Sequence, residues 1–147
     1  MADGHELAMA LRAAYLTMHR CADARLARHG VTADQFVLLA ALAGGDAVTQ
    51  RELARRTGSD PNTVRAMLML LEDRRLVARA PHPTDGRARI VTLTPAGRAC
   101  FRRLWKDGEP VRRRLLAAVR PGEVETLLVA LNRIATTLCP EPARIPS

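Results

Sequence analysis

Two polar side chains on one predicted helix have the types and the spacing that recognition of DNA bases requires. Asn62 and Arg65 are three residues apart, so they share one face of a helix. An arginine can donate two hydrogen bonds to O6 and N7 of guanine, and an asparagine amide pairs similarly with adenine. Thr63, beside them, is suited to a phosphate or to a thymine methyl group. We interpret this helix face as a candidate surface for contacting base edges.

A second group of residues is suited to the DNA backbone. Predicted helix starts at Thr49 and Asp60 present backbone N–H groups without partners inside the helix, and such groups bind phosphate. Gln50 and Arg51 directly follow the first of these starts. Phosphate contacts fix the position of a protein on DNA without selecting sequence. We therefore expect these residues to orient the base-contacting helix.

The elements that position these groups lie between residues 49 and 75. Thr49 can cap a helix with its hydroxyl, and Glu52, three residues later, can close a capping box. Leu53 and Ala54 then face inward, and the small alanine allows a second helix to approach. The spacing predicts a short first helix that crosses another helix closely.

A second helix follows after a tight turn. Gly58 ends the first helix where a positive φ is needed, and Ser59 or Asp60 caps the second. Pro61 takes the first helical position, where its missing N–H has no cost. The pattern predicts a helix-turn-helix; a helical hairpin in another all-α domain is the alternative. The second helix has an apolar stripe at i, i+3, i+4 and i+7, formed by Val64, Met67, Leu68 and Leu71.

The hydrophobic period changes after residue 75. Residues 76–80 alternate apolar and polar positions, and residues 89–94 form a second such run. Between them lies PHPTDGRA, whose proline, glycine and aspartate favour a turn. An antiparallel hairpin that directly follows a base-contacting helix is a wing. The sequence therefore predicts a winged helix-turn-helix.

Positive charge is concentrated in the middle of the chain. The 147 residues carry a net charge of +8, and residues 49–120 hold 17 Arg or Lys against 7 Asp or Glu. The rest of the chain holds 6 against 8. A basic middle between nearly neutral ends favours a polyanionic partner at that middle.

Helices flank the predicted winged helix on both sides. Gly30 ends the first of them, and Thr32, with Gln35 as its box partner, starts the next. Gly108 and Pro110 are expected to bend the helix that follows the wing. The predicted helices span residues 6–29, 36–43, 96–119 and 123–139, with a short strand near residues 47–48 after the Gly44-Gly45-Asp46 turn.

The fold class that these elements predict is mostly α with a small β-hairpin, an α+β arrangement. We expect one domain over 1–147, with the winged helix-turn-helix at 32–94 and dimerisation helices at 5–30 and 95–139. The first and last helices are longer than one small subunit needs, which indicates a partner subunit. The proline-rich 140–147 is expected to be a loose tail.

Enzymatic and metal-binding functions are not indicated. No histidine lies near a Ser or Cys in a catalytic motif, and no paired carboxylates stand out. We therefore expect no reaction, no cofactor and no metal. Cys21, Cys100 and Cys139 lack CxxC spacing, and no apolar run reaches the length of a membrane span. We expect a cytoplasmic protein with buried, inert thiols.

Several motifs together resemble the multiple antibiotic resistance regulator (MarR) family of winged helix-turn-helix transcription factors. They are ELA at 52–54, NTV at 62–64, LE-x-x-x-LV at 71–77, the D-x-R of the wing and LTPAGR at 93–98. The segment VTADQFVLLAAL at 31–42 is similar to the family's second helix. The resemblance covers about residues 30–100 at the level of motifs.

The resemblance implies a homodimeric repressor whose two winged helices bind a pseudo-palindromic operator in double-stranded DNA. Arg87 at the wing tip, assisted by Arg89, would enter a narrow minor groove. Asp85 would hold Arg87 or shape the wing turn; a plain turn residue is the alternative. The expected DNA-binding residues are Thr49, Gln50, Arg51, Asn62, Thr63, Arg65, Arg87 and Arg89.

The resemblance also implies a small aromatic effector between the dimer helices and the winged helix, although each aromatic residue that could line its site is better explained as part of the core. A constitutive DNA-binding or architectural protein without effector remains open. The outward positions Ala66, Met69 and Leu70 are apolar where the family often has polar residues, so a dimeric interaction module remains open too. The expected effector-lining residues are Tyr15, His19, Phe36 and Trp105.

Overall fold

The computed structural model describes residues 1–45 and 47–139. Asp46 of the predicted turn and the predicted loose tail, 140–147, lie outside the described residues. The chain divides into two compact units, Met1–Val111 and Arg112–Ser147. Helix α6, Glu109–Ala117, begins in the first unit and ends in the second, which also holds helix α7, Val124–Leu138. The first unit contains α1 Gly4–Leu26, α2 Ala33–Leu42, β1 Val48–Thr49, α3 Gln50–Thr57, α4 Pro61–Asp73, β2 Val77–Pro81, β3 Arg89–Leu93 and α5 Pro95–Asp107.

A small antiparallel sheet carries the wing. Strand β3 lies in the middle, with β1 on one side and β2 on the other. The hairpin register pairs Val77 with Leu93 and Pro81 with Arg89, and Val48 of β1 pairs with Val91. The predicted hairpin and the predicted short strand are both present. The wing loop is therefore tied to the start of α3 through the shared strand β3.

The helix-turn-helix forms from the local signals in the sequence. The Thr49 hydroxyl accepts a hydrogen bond from the Glu52 N–H at 3.1 Å, and Gly58 has a φ of 63°. Asp60 caps α4 by accepting from the Thr63 N–H at 3.1 Å, and Pro61 is its first residue. The helix-turn-helix prediction is confirmed.

The predicted capping box at the start of α3 is wrong. The Glu52 carboxylate accepts hydrogen bonds from Arg55, at 2.9 and 2.5 Å, and from Arg56, at 3.1 Å. Two cationic donors one turn ahead bind the carboxylate more strongly than a single neutral backbone N–H does. The second capping box, between Thr32 and Gln35 at the start of α2, is present as predicted.

The apolar stripe of α4 forms part of the core of the first unit. Val64, Leu68 and Leu71 are fully buried, and Met67 is half-buried against them. Arg74, just after α4, donates hydrogen bonds to the backbone carbonyls of His29 and Gly30, at 3.0 and 2.8 Å. Burial of one face and this anchor at the end fix which face of α4 points outward.

The single bent helix predicted over residues 96–119 is wrong, because the structure has two helices there. Helix α5 ends at Asp107, Gly108 is its cap, and α6 starts at Glu109. Pro110 has no N–H to continue the ladder, and its ring would clash with the carbonyl four residues earlier. A proline two residues after a glycine therefore breaks the helix here.

Large apolar side chains are exposed on α1 and, separately, on α7. On α1 they include Leu7, Met9 and Tyr15. None of the residues of α7 is buried, and Leu128 is 54% exposed. Exposed apolar faces of this kind are typical of interfaces. In the part of the chain that the structure describes, no helix combines the length and the apolar character needed to span a bilayer.

Candidate nucleic-acid interface

The outward face of α4 presents the three polar residues that the sequence singled out. Asn62, Thr63 and Arg65 are exposed, whereas Val64 and Leu68 of the same helix are buried. Because α4 is held by its core stripe and by the Arg74 anchor, these side chains extend from a rigid support. An exposed helix of this diameter fits the major groove of B-DNA.

A basic surface cleft of about 560 Å³ lies between α4 and the wing. It brings together four of the predicted DNA-binding residues from α3, α4, the wing loop and β3. The lining residues are Gln50, Arg65, Glu72, Arg79, Arg87 and Arg89. Four arginines and one carboxylate give the cleft a strong positive charge, which suits a DNA backbone or the edge of a groove.

Glu72 and Arg79 are functional candidates that the sequence analysis missed. Arg79 of β2 donates to both carboxylate oxygens of Glu72, at 3.1 and 3.0 Å, and to Oε1 of Gln50 at 3.2 Å. The hydrogen bonds from Arg79 lower the pKa of Glu72, and the same pair raises the pKa of Arg79. The pair ties the wing strand to the end of α4 and to the start of α3.

The sequence offers a partial indication of this pair. Arg79 is the polar position of the alternating run that predicts β2, and Glu72 lies in the last turn of α4. Which polar side chains meet depends on how the hairpin packs on α4. An ion pair across seven residues of a helix-to-strand connection follows from that packing and not from a fixed spacing.

Asp85 shapes the wing turn through backbone contacts. Its Oδ1 accepts from the Arg87 N–H at 3.0 Å, and its carbonyl accepts from the Ala88 N–H at 3.1 Å. The first of these is the side-chain hydrogen bond of an Asx turn. Nδ1 of His82 accepts from the Thr84 and Asp85 N–H groups, both at 3.1 Å. The Arg87 side chain is exposed at the tip of this turn.

The residues expected to contact phosphate differ in the hydrogen bonds that their side chains already make within the protein. The Thr49 hydroxyl serves the cap of α3, and the Gln50 amide oxygen accepts from Arg79. Arg51 is exposed. At the start of α4, the Asp60 carboxylate already accepts from the Thr63 N–H. A carboxylate at that helix end would repel a phosphate there. The Glu52 carboxylate in the first turn of α3 is instead paired with Arg55 and Arg56.

The four residues expected to line an effector site fall into two groups in the first unit. Tyr15 contacts His19, with ring centroids 5.5 Å apart. Phe36 stacks on Phe101 at 5.7 Å, and Phe101 contacts Trp105 at 6.0 Å. Phe101 was not among the residues expected to line this site. Its spacing of four from Trp105 on one helix face was the available indication.

His19 is paired with acidic side chains. Its Nε2 lies 3.3 Å from Asp23 Oδ2 and 3.9 Å from Asp34 Oδ2. These two carboxylates would repel an anionic ligand beside the His19 ring. Across residues 1–45 and 47–139, no group of three or more His, Cys, Asp or Glu side chains is placed to hold a metal ion.

The prediction of buried thiols is right for one cysteine of three. Cys100 is buried in the core of the first unit, Cys21 is half-buried, and Cys139 is exposed. Cys139 comes directly after the last residue of α7, where the helix stripe ends. Its exposure matches that of α7, none of whose residues is buried.

The contacts of Glu52 with Arg55 and Arg56 predict how the stability of the fold depends on acidic pH. Hydrogen bonds from Arg55 and then Arg56 lower the pKa of Glu52 from 4.5 to about 2. A carboxylate with a lowered folded-state pKa stabilises the fold above its ordinary pKa, and this contribution is lost as pH falls from 4.5 towards 2. Glu52→Gln should therefore flatten the fall in unfolding free energy over that pH range, measured by urea denaturation.

Glu72→Gln removes a second carboxylate with a lowered pKa and should act in the same direction. An unchanged acid slope in the Glu52→Gln variant would show that the contacts with Arg55 and Arg56 do not form in solution.

Comparison with known proteins gives consistent matches over this interface. Residues 29–88 match the model of the MarR family. The HTH-type transcriptional repressor NicR of Pseudomonas putida is 31% identical over 104 residues, which are 71% of this chain and 66% of that protein. The multiple antibiotic resistance protein MarR of Salmonella typhimurium is 30% identical over 105 residues, 71% of this chain and 73% of that protein.

A solved structure is similar over most of the chain. It concerns Bordetella bronchiseptica BpsR and the regulation of its DNA binding by 6-hydroxynicotinic acid. The identity is 28%, the TM-score is 0.80, and the match covers 88% of this chain and 98% of that chain. The match to NicR, by contrast, spans slightly less than two thirds of that repressor's length.

Proposed function

This chain belongs to the MarR family of regulators, and we propose that it is a sequence-specific DNA-binding transcriptional repressor that acts as a homodimer. The cleft between α4 and the wing carries the proposal, because it joins a base-contacting helix to a basic hairpin at one surface. The chain acts by binding and catalyses no reaction. It works in the cytoplasm, where its operator is.

We assign the DNA contacts by the chemistry of each group. Asn62 and Arg65 contact base edges in the major groove, and Thr63 contacts a phosphate or a thymine methyl group. Arg87 and Arg89 contact the minor groove and its phosphates. Thr49, Gln50 and Arg51 position the backbone at the start of α3. Region 32–94 is the DNA-binding part, and 5–30 and 95–139 supply the dimer helices.

Selection of duplexes from a random library with the full chain tests this function. A symmetric dimer with two α4 helices should enrich an inverted repeat whose half-sites are about one or two helical turns apart. The enriched duplex is then compared with a shuffled duplex of the same composition in an electrophoretic shift. Absence of any enriched sequence would favour the alternative of a non-specific or architectural protein.

The homodimer is tested by light scattering. The exposed apolar side chains of α1 and of α7 support a partner subunit over each of these faces, since such faces are unfavourable in water. We expect twice the single-chain mass of 16.1 kDa at micromolar concentration. A mass of 16.1 kDa would contradict a dimer and leave the exposed apolar side chains of α1 and of α7 unexplained.

We propose that a small aromatic acid releases the repressor from DNA, by a site that uses Tyr15, Phe36 and Trp105. The support is the aromatic group of Phe36, Phe101 and Trp105, in which Trp105 is 49% exposed, together with the exposed Tyr15. The similarity to BpsR, whose DNA binding 6-hydroxynicotinic acid regulates, adds to this support. Trp105 is the one tryptophan of the sequence, so its fluorescence reports on the site directly.

6-Hydroxynicotinic acid should quench this fluorescence saturably and weaken the shift of the selected duplex over the same concentration range. Trp105→Phe should retain release from DNA while losing the optical signal. Quenching without release would separate the site from regulation, and neither effect would favour a constitutive repressor.

A further inference from the structure

The line of α4 that points farthest from the core is apolar at its centre. Asn62, Ala66 and Met69 follow at i, i+4 and i+7, so they lie in one row. All three are exposed, and Met69 keeps 49% of its surface in contact with solvent. The buried residues Val64, Leu68 and Leu71 lie on the opposite side. This row is therefore the part of α4 that enters deepest into any groove that the helix occupies.

Charges around the row indicate what it contacts. Arg65 is about 40° from Met69 around the helix, on the side of the basic cleft that also holds Arg87 and Arg89. An apolar protein partner would bury these arginines at a cost in desolvation, whereas a DNA duplex pairs them with phosphate. The partner that fits both the apolar row and the arginines beside it is double-stranded DNA, with the row in its major groove.

The major groove offers one apolar group among the four standard bases, the C5-methyl of thymine. We propose that Ala66 and Met69 recognise thymine methyl groups, so that the centre of each operator half-site consists of A·T pairs. This inference rests on the proposed function. Asn62, at the start of the row, favours the same pairs, because its amide matches the edge of adenine.

Distances along the helix agree with this assignment. Residues 62 and 69 are about 10 Å apart along the helix axis, at about 1.5 Å per residue. That length corresponds to about three base-pair steps of B-DNA at about 3.4 Å each. Asp73, four residues after Met69 and exposed, marks the end of the contact, since a carboxylate is repelled by phosphate.

Leu70 provides a matched control on the same helix. It is also apolar and is 55% exposed, but it lies about 100° from Met69 around the helix. Both side chains are solvent-exposed, so replacing either by alanine leaves the core stripe of α4 intact. The two variants differ in whether they alter the outward row.

The test uses the duplex selected by the full chain, resynthesised with deoxyuridine in place of each half-site thymine in turn. Deoxyuridine lacks only the C5-methyl group. Removing a contacted methyl should weaken binding by about fourfold, which corresponds to about 0.8 kcal/mol for one buried CH₂. Met69→Ala should bind the parent duplex more weakly and lose the penalty at one thymine, while Leu70→Ala should keep every penalty.

The outcomes separate this inference from the proposed function. Tight, selective binding with no deoxyuridine penalty in the parent protein would overturn the methyl contacts alone. A penalty that persists unchanged in Met69→Ala and in Ala66→Gly would assign the methyl contact to another element and also overturn the inference. If Met69→Ala changed the oligomeric state in light scattering but left DNA affinity unchanged, the row would be assigned to a protein partner and the inference would be overturned. Failure to select any sequence would overturn the proposed function itself.

Discussion

Arg65→Ala is expected to weaken binding to the selected operator by ~1–3 kcal/mol and to leave binding to shuffled DNA almost unchanged. Arg65 is exposed on the outer side of α4 and lines the cleft, so its loss removes a base contact without opening the core. The neighbouring outward positions, Ala66, Met69 and Leu70, have no polar group that can replace it. Fluorescence anisotropy on both duplexes at one salt concentration measures the difference.

Arg87→Ala is the informative partner variant, because Arg87 lies at the wing tip and not on the helix. It should weaken binding to both duplexes, most strongly where the flanking minor groove is narrow and rich in A·T pairs. It should also flatten the slope of log affinity against log salt, because one released counterion is lost. Arg102→Ala, an exposed arginine of α5 that does not line the cleft, is the control.

Equal loss of operator and shuffled binding in Arg65→Ala would mean that α4 does not contact bases through this residue. The dimeric interaction module would then become the better explanation of the apolar helix face.

Gly97→Ala is expected to lower the free energy of unfolding by about 3 kcal/mol or more and the melting temperature by about 10 °C. A Cβ atom at residue 97 would lie 1.9 Å from the Leu76 carbonyl oxygen and 3.2 Å from Leu93 Cδ2. That carbonyl accepts hydrogen bonds from both the Thr94 N–H and the Thr94 hydroxyl, each at 3.1 Å. The backbone therefore cannot move away without losing the start of α5.

The matched control for this variant is Gly4→Ala. A Cβ atom at Gly4 meets no atom within 4 Å, and the residue is the first of α1. The same chemical change should there leave stability unchanged or raise it by less than about 1 kcal/mol. Equal urea midpoints for Gly97→Ala and the parent protein would contradict the close packing of α5 on the start of β2.

Features that depend on neighbouring residues were predictable from the sequence. The Thr49 and Asp60 caps, the Gly58 stop and the Pro61 start follow from backbone N–H groups that must find partners within one turn. The wing followed from a change of hydrophobic period. Because these rules act over three or four residues, the amino-acid order alone predicts the succession of elements from α1 to β3 and the outward face of α4.

Features that depend on competition or on packing were not predictable. The capping box at Glu52 was lost because Arg55 and Arg56 compete for the same carboxylate. The pairing of Arg79 with Glu72 and Gln50 requires the hairpin to pack on α4. No spacing of residues in the sequence predicts that packing. The close approach at Gly97 is of the same kind, because Leu76 lies 21 residues earlier in the chain.

The break between α5 and α6 at Gly108 was predicted in position but not in extent. Glycine and proline were both recognised there as weak points, and a bend was expected. Two helices form because Pro110, the second residue of α6, has no N–H with which to continue the hydrogen bonds of α5.

The central claim is that this chain selects its DNA by sequence, and the ratio of two affinities tests it most directly. Dissociation constants are measured for the selected inverted repeat and for a shuffled duplex of the same composition, at the same near-physiological salt concentration. We expect the selected duplex to bind about 10³-fold or more tightly, within the range of specific regulators. A ratio near one, with both affinities falling equally as salt rises, would show purely electrostatic binding and would contradict the claim.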